Sequence, residues 1–186
     1  MQNEVFRMRE EMKALIADTF TEMLEKEDLD KITVTKLIEE CQISRQTFYY
    51  HYRDILDVLE WAFGQAAQNL AKQSMEAENE VDAVQIYLNF VRDNKIKLEK
   101  LRDSKRWVQI ERILIESVMK YLRQMAQSKT PGIEISVDDA EMLLCFYAYG
   151  MTGVLLQYAG RKIDEKKLAY QLERIITGKL SLAQYQ

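Results

Sequence analysis

The chain has one proline, six glycines, two cysteines and a single histidine in 186 residues. So few backbone breakers argue against a loop-rich or fibrous chain and favour long helices. Cys41 and Cys145 lie in apolar surroundings without metal-ligand spacing. They read as two buried thiols in a reducing, cytoplasmic setting rather than a disulfide framework. The one histidine, His51, has no cysteine or second histidine at ligand spacing, so no metal is expected. No paired-carboxylate, Cys–His or phosphate-loop constellation is present, and nothing places a strained nucleophile near His51. Neither an enzyme nor a cofactor is therefore expected. The net charge of −4 gives no general affinity for polyanions. The opening "MQNEVFRMREEMK" carries acidic charges and has no apolar core, unlike a signal peptide. The one long uncharged run, Met142 to Ala159, holds Gly150, Thr152, Gly153 and Gln157. It reads as a buried helix, not a membrane span, which needs roughly 20 mainly apolar residues.

What the chain does have is helical periodicity. Met8, Met12, Leu15, Ile16, Phe20, Met23 and Leu24 predict a first helix over about 3–25. "KEDLDK" breaks the pattern. It restarts at Thr33, an N-cap, with Val34, Leu37, Ile38 and Cys41 on one face. Ser44 and Asp54 are the next N-caps. Further helices are expected near 81–93, 95–102, 104–128, 138–160 and 164–178, with "SKTPGIEISV" (128–137) as the clear loop. The expected fold is all-α. A helix-turn-helix unit of three helices occupies 1–53, and an all-α bundle for dimerisation and possible ligand binding occupies 54–186.

Within this frame, "SRQTFYYHYRD" (44–54) stands out. By propensity it is a strand, but no second strand is at hand to pair with it. As a helix capped by Ser44, it puts Arg45, Gln46 and Thr47 in the first turn, the part of a recognition helix that reaches base edges. Phe48 and Tyr52 turn back toward Leu37, Ile38 and Ile43. Tyr49, Tyr50 and His51 project elsewhere as donors to phosphate, and Arg53 follows as a phosphate cation. The charge is modest: residues 1–60 carry a net −6, whereas 31–53 carry a net +2. Few phosphates are neutralised per subunit, so specific binding calls for a dimer.

"ITVTKLIEECQISRQTFYYHYRDILDVLEWAF" resembles the helix-turn-helix of the TetR family of transcriptional regulators, over roughly residues 10 to 63. The resemblance implies a regulator, commonly a repressor, of a double-stranded DNA operator. It implies that Arg45, Gln46, Thr47 and Tyr49 read bases and that Tyr50 and His51 contact phosphate. Thr33 and Thr35 would touch backbone or base. Two positions depart from the family pattern. Gln42 stands where the turn usually has glycine, and Ile55 where a lysine often opens the next helix. Arg53 is the expected substitute for that cation.

The C-terminal "FYAYGMTGVLLQYAGRKIDEKKLAYQLERII" resembles a DhaS-like subgroup of the same family, whose members need not bind a small ligand. The residues themselves ask for a homodimer. The 142–159 helix is apolar almost all round, where a monomer needs a stripe of about 100°. Ala148, Gly150, Thr152 and Gly153 would admit a second helix, with Leu168, Leu172, Ile175 and Ile176 beside them. A helix covered by its own neighbours is the alternative. Tyr87, Phe90, Trp107, Tyr121, Met125, Tyr147 and Met151 suit an adaptable apolar effector pocket, and equally a filled core. A helical module that recruits a protein partner and grips DNA weakly is the rival reading of the whole chain.

Overall fold

The computed structural model describes residues 2–128, 136–158 and 164–180, and every regular element among them is helical. In chain order these are α1 (Gln2–Lys26), a short 3-10 turn (Leu29–Lys31), α2 (Val34–Glu40), α3 (Arg45–His51) and α4 (Ile55–Met75). Then follow α5 (Glu80–Asp93), α6 (Lys95–Arg102), α7 (Trp107–Ser128), α8 (Val137–Tyr158) and α9 (Glu165–Ile176). The all-α expectation holds, including helix at 45–51 where propensity favours strand. Most of the loop expected over 128–137 lies outside the described residues.

The chain forms two compact units. One comprises residues 1–65 with 99–114, the other 66–98 with 115–186.

In the first unit, Met12, Ile16, Phe20 and Met23 line the inner face of α1. Met8 and Leu15 are exposed instead. Leu15 lies one residue, about 100° of helix, off the buried stripe. Phe48 and Leu37 are wholly buried and Tyr52 nearly so. The Tyr52 hydroxyl donates to the Lys13 carbonyl at 2.9 Å, which ties the end of α3 to α1. Burial pushes the Tyr52 phenol well above its ordinary range, so it stays a neutral donor.

Residues 99–106 join this unit through polar contacts. Lys100 Nζ donates to the Leu24 and Glu25 carbonyls at 3.0 and 2.7 Å, serving the unpaired end of α1. Asp30 accepts from Ser104 Oγ at 2.6 Å and from the Lys105 amide at 3.0 Å. This anchoring turn occupies the stretch where helix was expected from 104, and α7 begins only at Trp107.

The second unit packs α5 against α9 over a core that includes Val84, Leu88, Val118, Ala148, Met151, Ala169 and Leu172. The Tyr87 and Tyr121 rings stack at 5.3 Å. No described helix is long and apolar enough to cross a membrane.

Candidate nucleic-acid interface

Each helix of the α2–α3 pair starts on a side-chain cap. Thr33 Oγ1 accepts from the Lys36 amide at 3.2 Å, and Ser44 Oγ from the Thr47 amide at 3.0 Å. Such caps are worth about 1 kcal/mol each and fix where the helix begins. Between the helices, the Gln42 amide donates to Glu39 O at 3.1 Å and the Ile43 amide to Ile38 O at 3.0 Å. This is the paired bonding of a Schellman stop, with Ile43 and Ile38 both packed on the core. The stop puts Gln42 at φ 54, a left-handed conformation usually given to glycine.

The stop and the caps together orient α3. Phe48 and Tyr52 face inward; Arg45, Gln46, Tyr49 and Tyr50 are exposed. The Arg45 guanidinium lies 5.9 Å from the Tyr49 ring centroid, so the two form one surface. Thr35 is exposed and open to a ligand. Thr33 and Thr47 are already engaged, the first as a cap and the second in a 2.8 Å bond with Ser44 Oγ.

His51 is half-buried. Its Nδ1 is closed off from solvent without a hydrogen-bond partner. Burial, then the charges of Arg9 and Lys13, hold its pKa below the ordinary histidine value, with Glu10 opposing. The neutral imidazole is therefore favoured more than in a free histidine.

Arg53 is exposed, but Asp57 holds it. The Arg53 amide donates to Asp57 Oδ2 at 2.8 Å, and its guanidinium reaches both carboxylate oxygens at 3.3 and 3.2 Å. Burial pushes the Asp57 carboxyl up, yet these bonds outweigh it and hold the group below its usual range. Ile55, where a lysine was the family expectation, is buried. Two partners escaped sequence reasoning: Asp57, four residues beyond Arg53, and Arg9 on α1, whose guanidinium rests 5.6 Å from the Tyr50 ring. The first has a readable i,i+4 signal; the second comes from tertiary packing alone.

In the second unit a cavity of about 590 Å³ is lined by residues of α4, α5, α7, α8 and α9 and by the chain between α4 and α5. Tyr121, Met125, Tyr147 and Met151 of the expected pocket set are on its wall. Tyr87 is buried behind Tyr121, and Phe90 packs on the same core. Trp107 packs in the core of the first unit instead. The wall includes Glu78, Glu80 and the buried Glu173, and among the described residues no lysine or arginine lines it. Glu173 accepts from Lys179 Nζ at 2.6 Å. Ser74 accepts from the Tyr121 hydroxyl at 3.1 Å.

The residues expected at a dimer interface are divided. Ala148, Thr152 and Leu172 are buried within their own unit, because the face of α8 that carries Ala148 and Thr152 is the inward one. Leu168 and Ile176 are half-buried on the same core. Gly150, Gly153 and Ile175 are exposed. Exposed beside them in sequence are Met142, Phe146 and Tyr149, at 70%, 67% and 60%. At 3.6 residues per turn, Met142, Phe146, Tyr149, Gly150 and Gly153 share one face of α8.

Residues 78–178, just over half of the chain, match the family model TetR_C_8, described as a transcriptional regulator C-terminal region. Among solved structures, the fold is similar to that of the dihydroxyacetone kinase operon activator DhaS. The TM-score is 0.63 and the identity 17%, covering 90% of this chain and 95% of that one. It is also similar to a TetR transcriptional regulator from Streptococcus agalactiae 2603V, with TM-score 0.59, 20% identity, and 95% and 99% coverage. A tetR-family regulator from Streptomyces coelicolor gives TM-score 0.59 at 15% identity, covering 89% and 81%. No curated protein sequence matches the chain.

Proposed function

Because the chain belongs to the TetR family of transcriptional regulators, we propose that it is a cytoplasmic homodimer that reads a DNA operator through α3 and represses transcription there. The observation that carries this reading is the capped α3, which buries Phe48 and Tyr52 and leaves Arg45, Gln46 and Tyr49 uncovered at one end. Arg45, Gln46, Thr47 and Tyr49 are assigned to bases, and Thr33, Thr35, Tyr50 and His51 mainly to the backbone. Residues 1–53 act as reader and 54–186 as the dimerisation and effector body. Self-association is assigned to the exposed apolar face of α8 with Ile175 of α9, and the 590 Å³ cavity to a small effector. That volume lies in the range of ordinary ligand sites. Membership of a DhaS-like subgroup belongs to the same proposal. The similar structure of that name is an operon activator, so the direction of regulation needs its own reporter assay.

DNA selection from a random duplex pool tests the reading. A two-fold symmetric winner, bound less tightly as salt rises, is the expected result. Failure to enrich any sequence would sink it. On the winning site, Arg45→Ala is expected to cost about 1–3 kcal/mol and to relax preference at the base pair it contacts. Equal affinity and unchanged preference would remove Arg45 from base reading.

A second reading has one specific support. Asp57 holds Arg53 at 2.8–3.3 Å, which lowers the cationic charge free for DNA. On that reading the chain is a helical co-regulator that recruits a protein partner. A stoichiometric partner recovered without DNA would favour it.

A further inference from the structure

We propose that Arg9 of α1 supplies the reader's phosphate-binding cation, seated on Tyr50 and beside His51 of α3, so that the three form one phosphodiester site. The proposal rests on the DNA-binding reading and extends it to a helix outside the helix-turn-helix.

A reader of a polyanion needs cations; Arg45 is assigned to bases, and the other nearby candidates are apolar or already engaged. Ile55 is an apolar residue in the core. Arg53 is chelated by Asp57. On α1, Arg7 pairs with Glu11 at 3.3 Å and Lys13 lies 3.9 Å from Glu10. Arg9 is different. It is exposed, and among the described residues no carboxylate pairs with it. Its guanidinium carbon sits 5.6 Å from the centre of the Tyr50 ring. A guanidinium resting on an aromatic face loses little, keeps its N–H edge for an acceptor, and is held against the entropy that a free arginine would give up on binding. That edge suits the paired oxygens of a phosphodiester.

The neighbours complete the site. Tyr50 is 65% exposed, with its hydroxyl available, and meets His51 edge-to-face at 5.0 Å. His51 Nδ1 is sealed without a partner. A buried N–H without an acceptor costs more than a lone pair facing nearby cations, which leaves the proton on Nε2 as the donor to phosphate. The charges of Arg9 and Lys13 are felt at His51, with that of Glu10 opposing, so α1 brings Arg9 and Lys13 near this end of α3.

The full-length protein would be titrated with the selected duplex, and with an unrelated duplex, from about 50 to 200 mM salt. Arg9→Gln is expected to weaken both duplexes equally, about eightfold per subunit near 0.1 M salt, and to flatten the log–log salt slope by about 0.9 per subunit. Arg9→Lys should restore most of the slope. Since Arg9 is exposed, an unchanged melting curve is expected for both Arg9 variants. A wild-type slope in Arg9→Gln, with the wild type binding normally, overturns the Arg9 site alone. Wild-type protein that retains neither duplex at any salt overturns the DNA-binding reading and this site with it.

Discussion

Gln42 carries backbone strain and His51 a half-buried imidazole that favours its neutral form, and single substitutions test both. At φ 54, Gln42 pays for a left-handed backbone that glycine adopts freely. Gln42→Gly is expected to raise stability by up to about 1 kcal/mol, the gain in backbone fit being partly offset by a more mobile unfolded chain. Urea denaturation checks this, and a loss of stability would show that the glutamine side chain contributes something local. His51 gives the opposite kind of test. Its folded pKa lies below the ordinary 6.5, held down by burial and by Arg9 and Lys13, with Glu10 opposing. The unfolded chain therefore binds the proton more tightly than the fold does. Stability supplied by the neutral imidazole is present above pH 6.5 and is lost as pH falls below it. Melting temperatures recorded from pH 8 to 5 should show a fall that His51→Gln lacks. Parallel curves for the two proteins would contradict it.

Helices decide which surfaces remain for partners. α8 is apolar on nearly all sides, yet its inward face is fully used by Ala148, Met151 and Thr152. The outward face, with Met142, Phe146, Tyr149, Gly150 and Gly153, is what a second copy would cover. Phe146→Glu is expected to turn a dimer into a monomer in sedimentation or light scattering, because an interfacial charge without a partner is costly to bury. A variant that stays dimeric would move the interface off this face. α4 has the opposite task. Its Ile55, Val58 and Leu59 belong to the core that supports α3, and Ser74 and Met75 at its far end line the cavity. One continuous helix thus contributes to both the reader and the proposed effector site.

At the scale of the whole molecule, the chain is acidic overall, and so is the wall of its cavity. Glu78, Glu80 and Glu173 line it among methionine and tyrosine side chains, Glu173 being paired with Lys179, and none of the described lining residues is a lysine or arginine. An apolar ligand with a neutral or cationic head is therefore favoured over an anion of the same body. Decyltrimethylammonium and decanol, kept below micelle formation, should raise the melting temperature more than decanoate does. Decanoate binding as tightly as the other two would remove the electrostatic argument.

Helix positions, the caps at Thr33 and Ser44, and the inward Phe48 and Tyr52 were all legible in the linear sequence. Each depends on local periodicity or on hydrogen bonds three or four residues apart, so the information is contiguous in the chain. Gln42 was marked only through the family resemblance, as the turn position that usually has glycine, and its left-handed backbone comes from the structure. The sequence could not say which cations are free, because that depends on pairings. Arg53 has a carboxylate one helical turn away, whereas Arg9 meets Tyr50 only when α1 packs on α3. Nor could it tell which face of an all-apolar helix is turned inward, since α8 carries no periodic contrast to read; burial of Ala148 and Thr152 settles that. Trp107 makes the same point: aromatic character marks a residue for the interior, and only packing decides which interior receives it.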